Sequence, residues 1–215
     1  RLHPAKTNSN WWQESEKIDC FSLEQADIVL MNPPFTRQER LSKKLKQTLR
    51  EHFASYSEYD AGRLGLYGYF VFLADMFVKK GGRIGMVLPA SFLRLRSTRG
   101  LRRLLCDNYD IEYLVTTFGR SAFSESSSFR EIMLVATKRK LIGEAESLIS
   151  CDRSSCLIVH LMQEPETSEE ARQVAERIVW LSKSERNVHR NSGLFARKIP
   201  QAALSSALNN LFFMV

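Results

Sequence analysis

Ala26-Asp27-Ile28-Val29-Leu30-Met31-Asn32-Pro33-Pro34-Phe35 is the stretch on which the fold turns. Its first six residues are mostly apolar and include the β-branched pair Ile28-Val29, which favours extended backbone. Residues 27–31 therefore read as a buried strand. Two prolines then stop it, because neither has an N–H to give to a sheet ladder. The strand is followed by a stiff loop that carries a side-chain amide and an aromatic ring. The carboxyl end of a strand is where open α/β sheets place their ligand crevices.

Such a loop suits methylation of an amino group conjugated to a ring. That nitrogen is a poor nucleophile because its lone pair is delocalised. The Asn32 amide oxygen can accept one of its N–H bonds and the Pro33 carbonyl the other. Together they favour a pyramidal nitrogen whose lone pair faces a methyl donor, by fixed dipoles and orientation and without a strong base. Phe35 offers a flat face for a base, a stacking contact of roughly 1–3 kcal/mol. Asn-Pro-Pro-Phe after an apolar strand resembles the catalytic motif of the amino-group DNA methyltransferases, the N6-adenine class in particular. The resemblance covers roughly residues 20–140 and implies catalytic roles for Asn32, Pro33, Pro34 and Phe35.

Downstream, the order of elements fits the same family. Residues 37–53 carry Arg37, Arg40, Lys43, Lys44, Lys46 and Arg50, with Leu41, Leu45 and Leu49 every fourth residue. This predicts a helix with one apolar stripe, whose cations are either solvated or meet phosphate. Residues 54–66, with Tyr56, Tyr59, Gly62 and Gly65, read as a mobile loop near the site. Tyr67 to Lys80 reads as a buried helix, ended by Gly81-Gly82, and Arg83 to Leu88 as a second buried strand closed by Pro89. That helix–strand step belongs to a doubly wound sheet. Ser91 to Asn108 predicts another helix with Leu101, Leu104 and Leu105 inward and Ser97-Thr98 as its cap. Arg94, Arg96, Arg99, Arg102 and Arg103 stud the same stretch. Guanidinium forks match phosphate geometry, so these five are candidate DNA-backbone contacts; a solvated helix face is the alternative.

Residues 111–118 and 131–138 alternate as strands and predict the antiparallel hairpin that closes a methyltransferase sheet. The loop between them carries Phe123 and Phe129. The resemblance implies that an aromatic from this loop stacks on the second face of the target base, Phe123 first and Phe129 second. Beyond residue 140 the likeness fades. Residues 157–162 read as one more strand, 168–181 as a helix with an acidic first turn, 183–193 as a polar linker, and 211–215 as an apolar tail suited to packing or self-association.

The whole chain of 215 residues, 44% hydrophobic with a net charge of +7, has room for one sizeable domain and an appendage. The balance favours a polyanionic partner. No run of about 18 apolar residues reads as a membrane span. The four cysteines, Cys20, Cys106, Cys151 and Cys156, have no metal-ligand spacing and suit a reducing cytoplasm.

The expected fold is α/β: a partial Rossmann-like methyltransferase domain over 1–165, mostly parallel and ending in an antiparallel hairpin, then a helical extension or linker over 166–215 toward a target-recognition domain. The resemblance implies S-adenosylmethionine as cofactor and double-stranded DNA as partner, within restriction–modification or phage defence. The family binds its cofactor through a glycine-rich turn and an acidic residue upstream of the motif. Residues 1–26 contain no glycine, and the chain starts without Met, so a fragment lacking the cofactor-binding strands is expected, inactive alone and binding cofactor weakly. Two other readings keep the motif: an RNA or protein-glutamine N-methyltransferase, and a non-catalytic DNA- or partner-binding remnant of the fold.

Overall fold

The computed structural model describes residues 24–117, 130–140 and 155–207. Phe123, Phe129, Cys20, Cys151 and the tail 211–215 lie outside them. Among the described residues seven strands form one sheet in the order β1-β2-β4-β3-β5-β7-β6. They are β1 (Ala26–Met31), β2 (Val78–Pro89), β3 (Tyr109–Thr117), β4 (Glu131–Lys138), β5 (Ser155–Leu161), β6 (Val188–Arg190) and β7 (Leu194–Pro200). The helices are α1 (Lys43–His52), α2 (Leu66–Phe77), α3 (Arg99–Asn108), α4 (Ser168–Lys183) and α5 (Gln201–Ser206). None is long and apolar enough to cross a membrane. Strands β1, β2, β3, β5 and β6 run one way, while β4 and β7 run against them. The α/β expectation holds, and so does the antiparallel β3–β4 pair, with β4 inserted between β2 and β3.

Among the described residues β1 is the end strand of the sheet and is only partly covered, which corrects its reading as a buried strand. Val29 is buried, yet Ile28 is 62% and Leu30 78% exposed. An apolar run specifies a strand; it does not say whether both faces are covered. Its partner β2 begins earlier than expected. Helix α2 ends at Phe77 because Val78 is extended and fully buried, pairing with Ala26. Gly81-Gly82 therefore does not end the helix. The register jumps from Ala26 opposite Val78 to Ile28 opposite Arg83, so residues 79–82 bulge. Gly81 has φ +80°, and a Cβ on Gly82 would come within 2.8 Å of the Asp27 carbonyl oxygen. Glycine serves the bulge there.

Three further expectations change. The leucine stripe of residues 37–53 divides: a 3₁₀ turn at Gln38–Arg40 precedes α1, Leu41 is buried ahead of the helix, Leu49 packs on the core and Leu45 is exposed. Ser42 caps α1 by accepting from the Leu45 N–H at 3.1 Å. The presumed loop before α2 contains the 3₁₀ turn Ala54–Tyr59. Tyr56 stacks on Phe72 with centroids 4.7 Å apart, and its hydroxyl donates to Asp75 at 2.6 Å. The single helix expected over 91–108 is two 3₁₀ turns, Ala90–Leu93 and Arg96–Thr98, followed by α3.

The C-terminal part is bound into the sheet. The stretch 183–193, expected as linker, contains β6, and β6 and β7 extend the sheet beyond β5. The segment 166–207 is thus more than a helical extension. A second apolar cluster forms here as Ile178 and Leu181 of α4 cover Val115, Leu157, Val159 and Leu194. Gln201, nearly fully buried, donates to the Ile111 carbonyl at 2.6 Å and accepts from its N–H at 3.3 Å. That pair satisfies β3 where its register with β4 shifts.

Candidate active site

Parallel β1 and β2 end on the same side of the sheet, β1 at Met31 and β2 at Pro89. The Asn32-Pro33-Pro34-Phe35 loop leaves β1 there. Asn32 is exposed, Pro33 buried, Pro34 exposed and Phe35 half-buried. The Asn32 side chain is therefore not folded inward against the core. The loop is pinned one residue later, where the Leu66 N–H donates to the Thr36 carbonyl at 2.9 Å. Gly65 makes this approach possible, since a Cβ would meet that same oxygen at 2.9 Å. The motif loop and the start of α2 thus form one rigid corner.

Phe35 meets Tyr67 edge-on, with centroids 6.4 Å apart and rings at 86°. Together with Pro89, Ser91, Arg94 and Leu95 they line a cavity of about 400 Å³. Burial pushes the Tyr67 phenol up to about 12, against smaller opposing effects of Arg102 and a hydrogen bond with Ser91. Tyr67 is therefore a neutral hydroxyl at working pH. At the end of β2, the Ala90 N–H donates to the Arg130 carbonyl at 2.7 Å, so the start of β4 closes the same corner. Sequence reasoning did not mark Tyr67, Ser91 or Arg63, which also borders the cavity. Tyr67 looked like one more apolar residue at a helix start, and nothing in its spacing announces that it faces Phe35.

The five arginines separate. Arg94, Arg96 and Arg99 are exposed, and Arg94 lines the cavity. Arg102 is 1% exposed. Its Nη1 donates to the carbonyls of Phe92 (2.5 Å) and Leu95 (3.0 Å) and to Thr98 Oγ1 (2.7 Å). This corrects its place among surface phosphate contacts: a guanidinium committed to its own loop cannot also meet a DNA backbone. Arg103 pairs with Glu58 at 2.8 Å and lies 4.8 Å over the Tyr59 ring, tying α3 to the Ala54–Tyr59 turn. Thr98 occupies the cap position of α3, but its hydroxyl donates to Phe92 and Leu95 carbonyls and does not cap. The structure brings Phe35 and Arg94 to one cavity; Asn32 stands beside it at the strand end and does not line it.

The sequence profile of the Eco57I restriction-modification methylase family matches residues 2–123, more than half of the chain. Type II methyltransferase M.BstVI of Geobacillus stearothermophilus is 29% identical over 128 residues, covering 59% of this chain and 21% of its own length. Type II methyltransferase M.BanIII of Aneurinibacillus aneurinilyticus is 30% identical over 93 residues, 43% of this chain and 15% of its own. The chain therefore spans about a fifth or less of these relatives. Among solved structures, the type IIG restriction endonuclease BpuSI superposes with a TM-score of 0.63 at 16% identity, over 86% of this chain and 20% of that one. The methyltransferase subunit of a type I restriction-modification system from Streptococcus thermophilus gives 0.55 at 15% identity, over 95% and 39%. At such identities the likeness is one of fold: a Rossmann-like α/β methyltransferase sheet. The chain belongs to the Eco57I restriction-modification methylase family.

Proposed function

We propose that this chain is the acceptor-binding part of an enzyme that methylates adenine N6 in double-stranded DNA. The observation that carries the reading is the exposed Asn32 at the carboxyl end of β1, on a proline-stiffened loop whose next aromatic forms a cavity wall. The target adenine leaves the duplex, as chemistry on a base demands, and its ring lies against Phe35. The Asn32 amide oxygen and the Pro33 carbonyl accept the two N–H bonds of the exocyclic amino group and aim its lone pair. Phe123, outside the described residues, is the candidate for the opposite face of the base. The carbonyl and amide act as preorganised dipoles, so the acceptor nitrogen needs no general base.

S-adenosylmethionine would supply the methyl group. The described residues offer no cradle for it: the two glycines with positive φ, Gly62 and Gly81, lie in the approach to α2 and in the β2 bulge, neither in a turn after a strand's carboxyl end. The role we propose is therefore on the acceptor side. A nucleic acid is favoured over a protein amide by the cations of the cavity wall. Arg37, Arg63 and Arg94 line it, and the exposed Arg96 and Arg99 follow Arg94 closely in sequence. A cluster of cations of this kind suits a phosphate backbone.

The test is Asn32→Ala in the intact protein. N6-methyladenine in host genomic DNA, mapped by sequencing, is expected to fall by at least about 100-fold, the scale of removing one preorganised dipole. Duplex affinity stays unchanged. Wild-type methylation from this variant would remove Asn32 from the chemistry and the proposal with it.

A further inference from the structure

We infer that Leu95 is the side chain that fills the gap left in the duplex when the target nucleotide is extruded, and that Arg102 is the positioning residue holding it at the cavity rim. The inference rests on the DNA reading above and adds a residue to it. Leu95 is 43% exposed, whereas Phe92 and Leu93 just before it are buried. A lone exposed leucine is ordinary; this one lines the cavity beside Phe35 and Tyr67 and lies between the exposed Arg94 and Arg96.

Its backbone is held on both sides. The Leu95 N–H donates to the Ser91 carbonyl at 2.9 Å. Its own carbonyl accepts from the Thr98 N–H (3.2 Å), Thr98 Oγ1 (2.9 Å) and Arg102 Nη1 (3.0 Å). Burying a guanidinium is expensive unless good acceptors surround it. Here acceptors at Phe92, Leu95 and Thr98 all belong to the segment that presents the leucine. A buried cation therefore fixes the place of an exposed apolar tip.

Duplex chemistry gives such a tip a use. Extruding a nucleotide costs unstacking and unpairing, and an apolar wedge between base steps offsets part of that cost. Arginines on either side of the wedge suit the phosphates that flank the gap. Leu95 touches no reacting atom in this account; it lowers the cost of reaching the extruded state.

The experiment compares two duplexes carrying the protein's own site, once that site has been mapped on genomic DNA. In one the target adenine is paired with thymine; in the other it faces an abasic position, where pairing no longer resists extrusion. In the intact protein, Leu95→Ala is expected to lower kcat/KM about tenfold on the paired duplex and to stay within about twofold of wild type on the abasic one. Arg102→Lys, checked for folding by thermal melting, should show the same substrate-dependent loss. Equal losses on both duplexes, or no loss on either, would overturn the wedge while leaving the DNA reading intact. Failure of the wild-type protein to methylate either duplex would bring down the DNA reading and this inference together.

Discussion

Arg102 and Arg103 are adjacent in sequence and identical in chemistry, yet one is buried and the other lies on the surface. The difference follows from helical geometry. Residues 101, 104 and 105 turn inward from α3, and 102 lies close enough to that face for its long stem to reach back beneath the 92–98 segment. There its head group satisfies carbonyls that a continuous helix would have satisfied itself. Thr98 shares the task, so it belongs to the interior even though its sequence position suggests a cap. Thr98→Val removes the hydroxyl that donates to Phe92 and Leu95 and accepts from Arg102. Leaving buried partners unsatisfied costs about 1–3 kcal/mol. The expected outcome is a urea unfolding midpoint lowered accordingly with an unchanged slope; an unchanged midpoint would mean that the Arg102 bonds alone hold the segment.

At the scale of elements, strands were the most legible. Residues 27–31, 111–118, 131–138 and 157–162 were read from apolar runs and alternation, and β1, β3, β4 and β5 fall there within one or two residues. Helices were legible where one face is uniformly apolar, as in α2 and α4. They were misread where side chains compete with the backbone ladder. The segment before α3 breaks because Thr98 and Arg102 take over its carbonyls, a tertiary effect no periodicity contains. Short β6 escaped because Val188 is the only apolar residue of its three, and pairing with β7 supplies what its sequence lacks. The site was half legible. Asn32-Pro33-Pro34-Phe35 announces itself by composition, whereas Tyr67 and Leu95 join it only through the corner between α2 and the end of β2. One element contact can be tested directly. A Cβ on Gly100 would lie 2.0 Å from the Tyr59 carbonyl oxygen, so α3 and the Ala54–Tyr59 turn are in backbone contact. Gly100→Ala is expected to destabilise the protein by about 1–3 kcal/mol through overpacking, despite alanine's higher helix propensity. Thermal melting decides it: a raised Tm would show that the turn can move aside.

Across the whole molecule the positive charge is unevenly compensated. Some cations away from the candidate site meet carboxylates: Lys79 with Asp27, Arg83 with Glu112, Arg139 with Asp110, and Arg172 with Glu169 and Glu176. Helix α4 has Glu169 and Glu170 in its first turn, the sign that suits a helix N-terminus. Helix α1 begins instead with Lys43 and Lys44 and has no acidic residue in its first turn, an arrangement that opposes its dipole. Lys43, Lys46 and Arg50, with Gln47 and Glu51, line one shallow hollow on its surface, and only Leu41 and Ser42 separate the helix from the 3₁₀ turn that borders the candidate site. A helix that forgoes favourable end charges in this position is better suited to an external polyanion than to its own stability. If the DNA reading holds, each phosphate contact removed should lower the magnitude of the salt slope of binding by about 0.9 in log–log terms. Lys43→Gln combined with Lys46→Gln in the intact protein is therefore expected to weaken duplex binding at low salt and flatten that slope by about 2. Arg172→Gln on α4 should leave both unchanged. Fluorescence anisotropy across a salt series measures the slopes, and equal slopes for the two variants would place the backbone contact elsewhere than on α1.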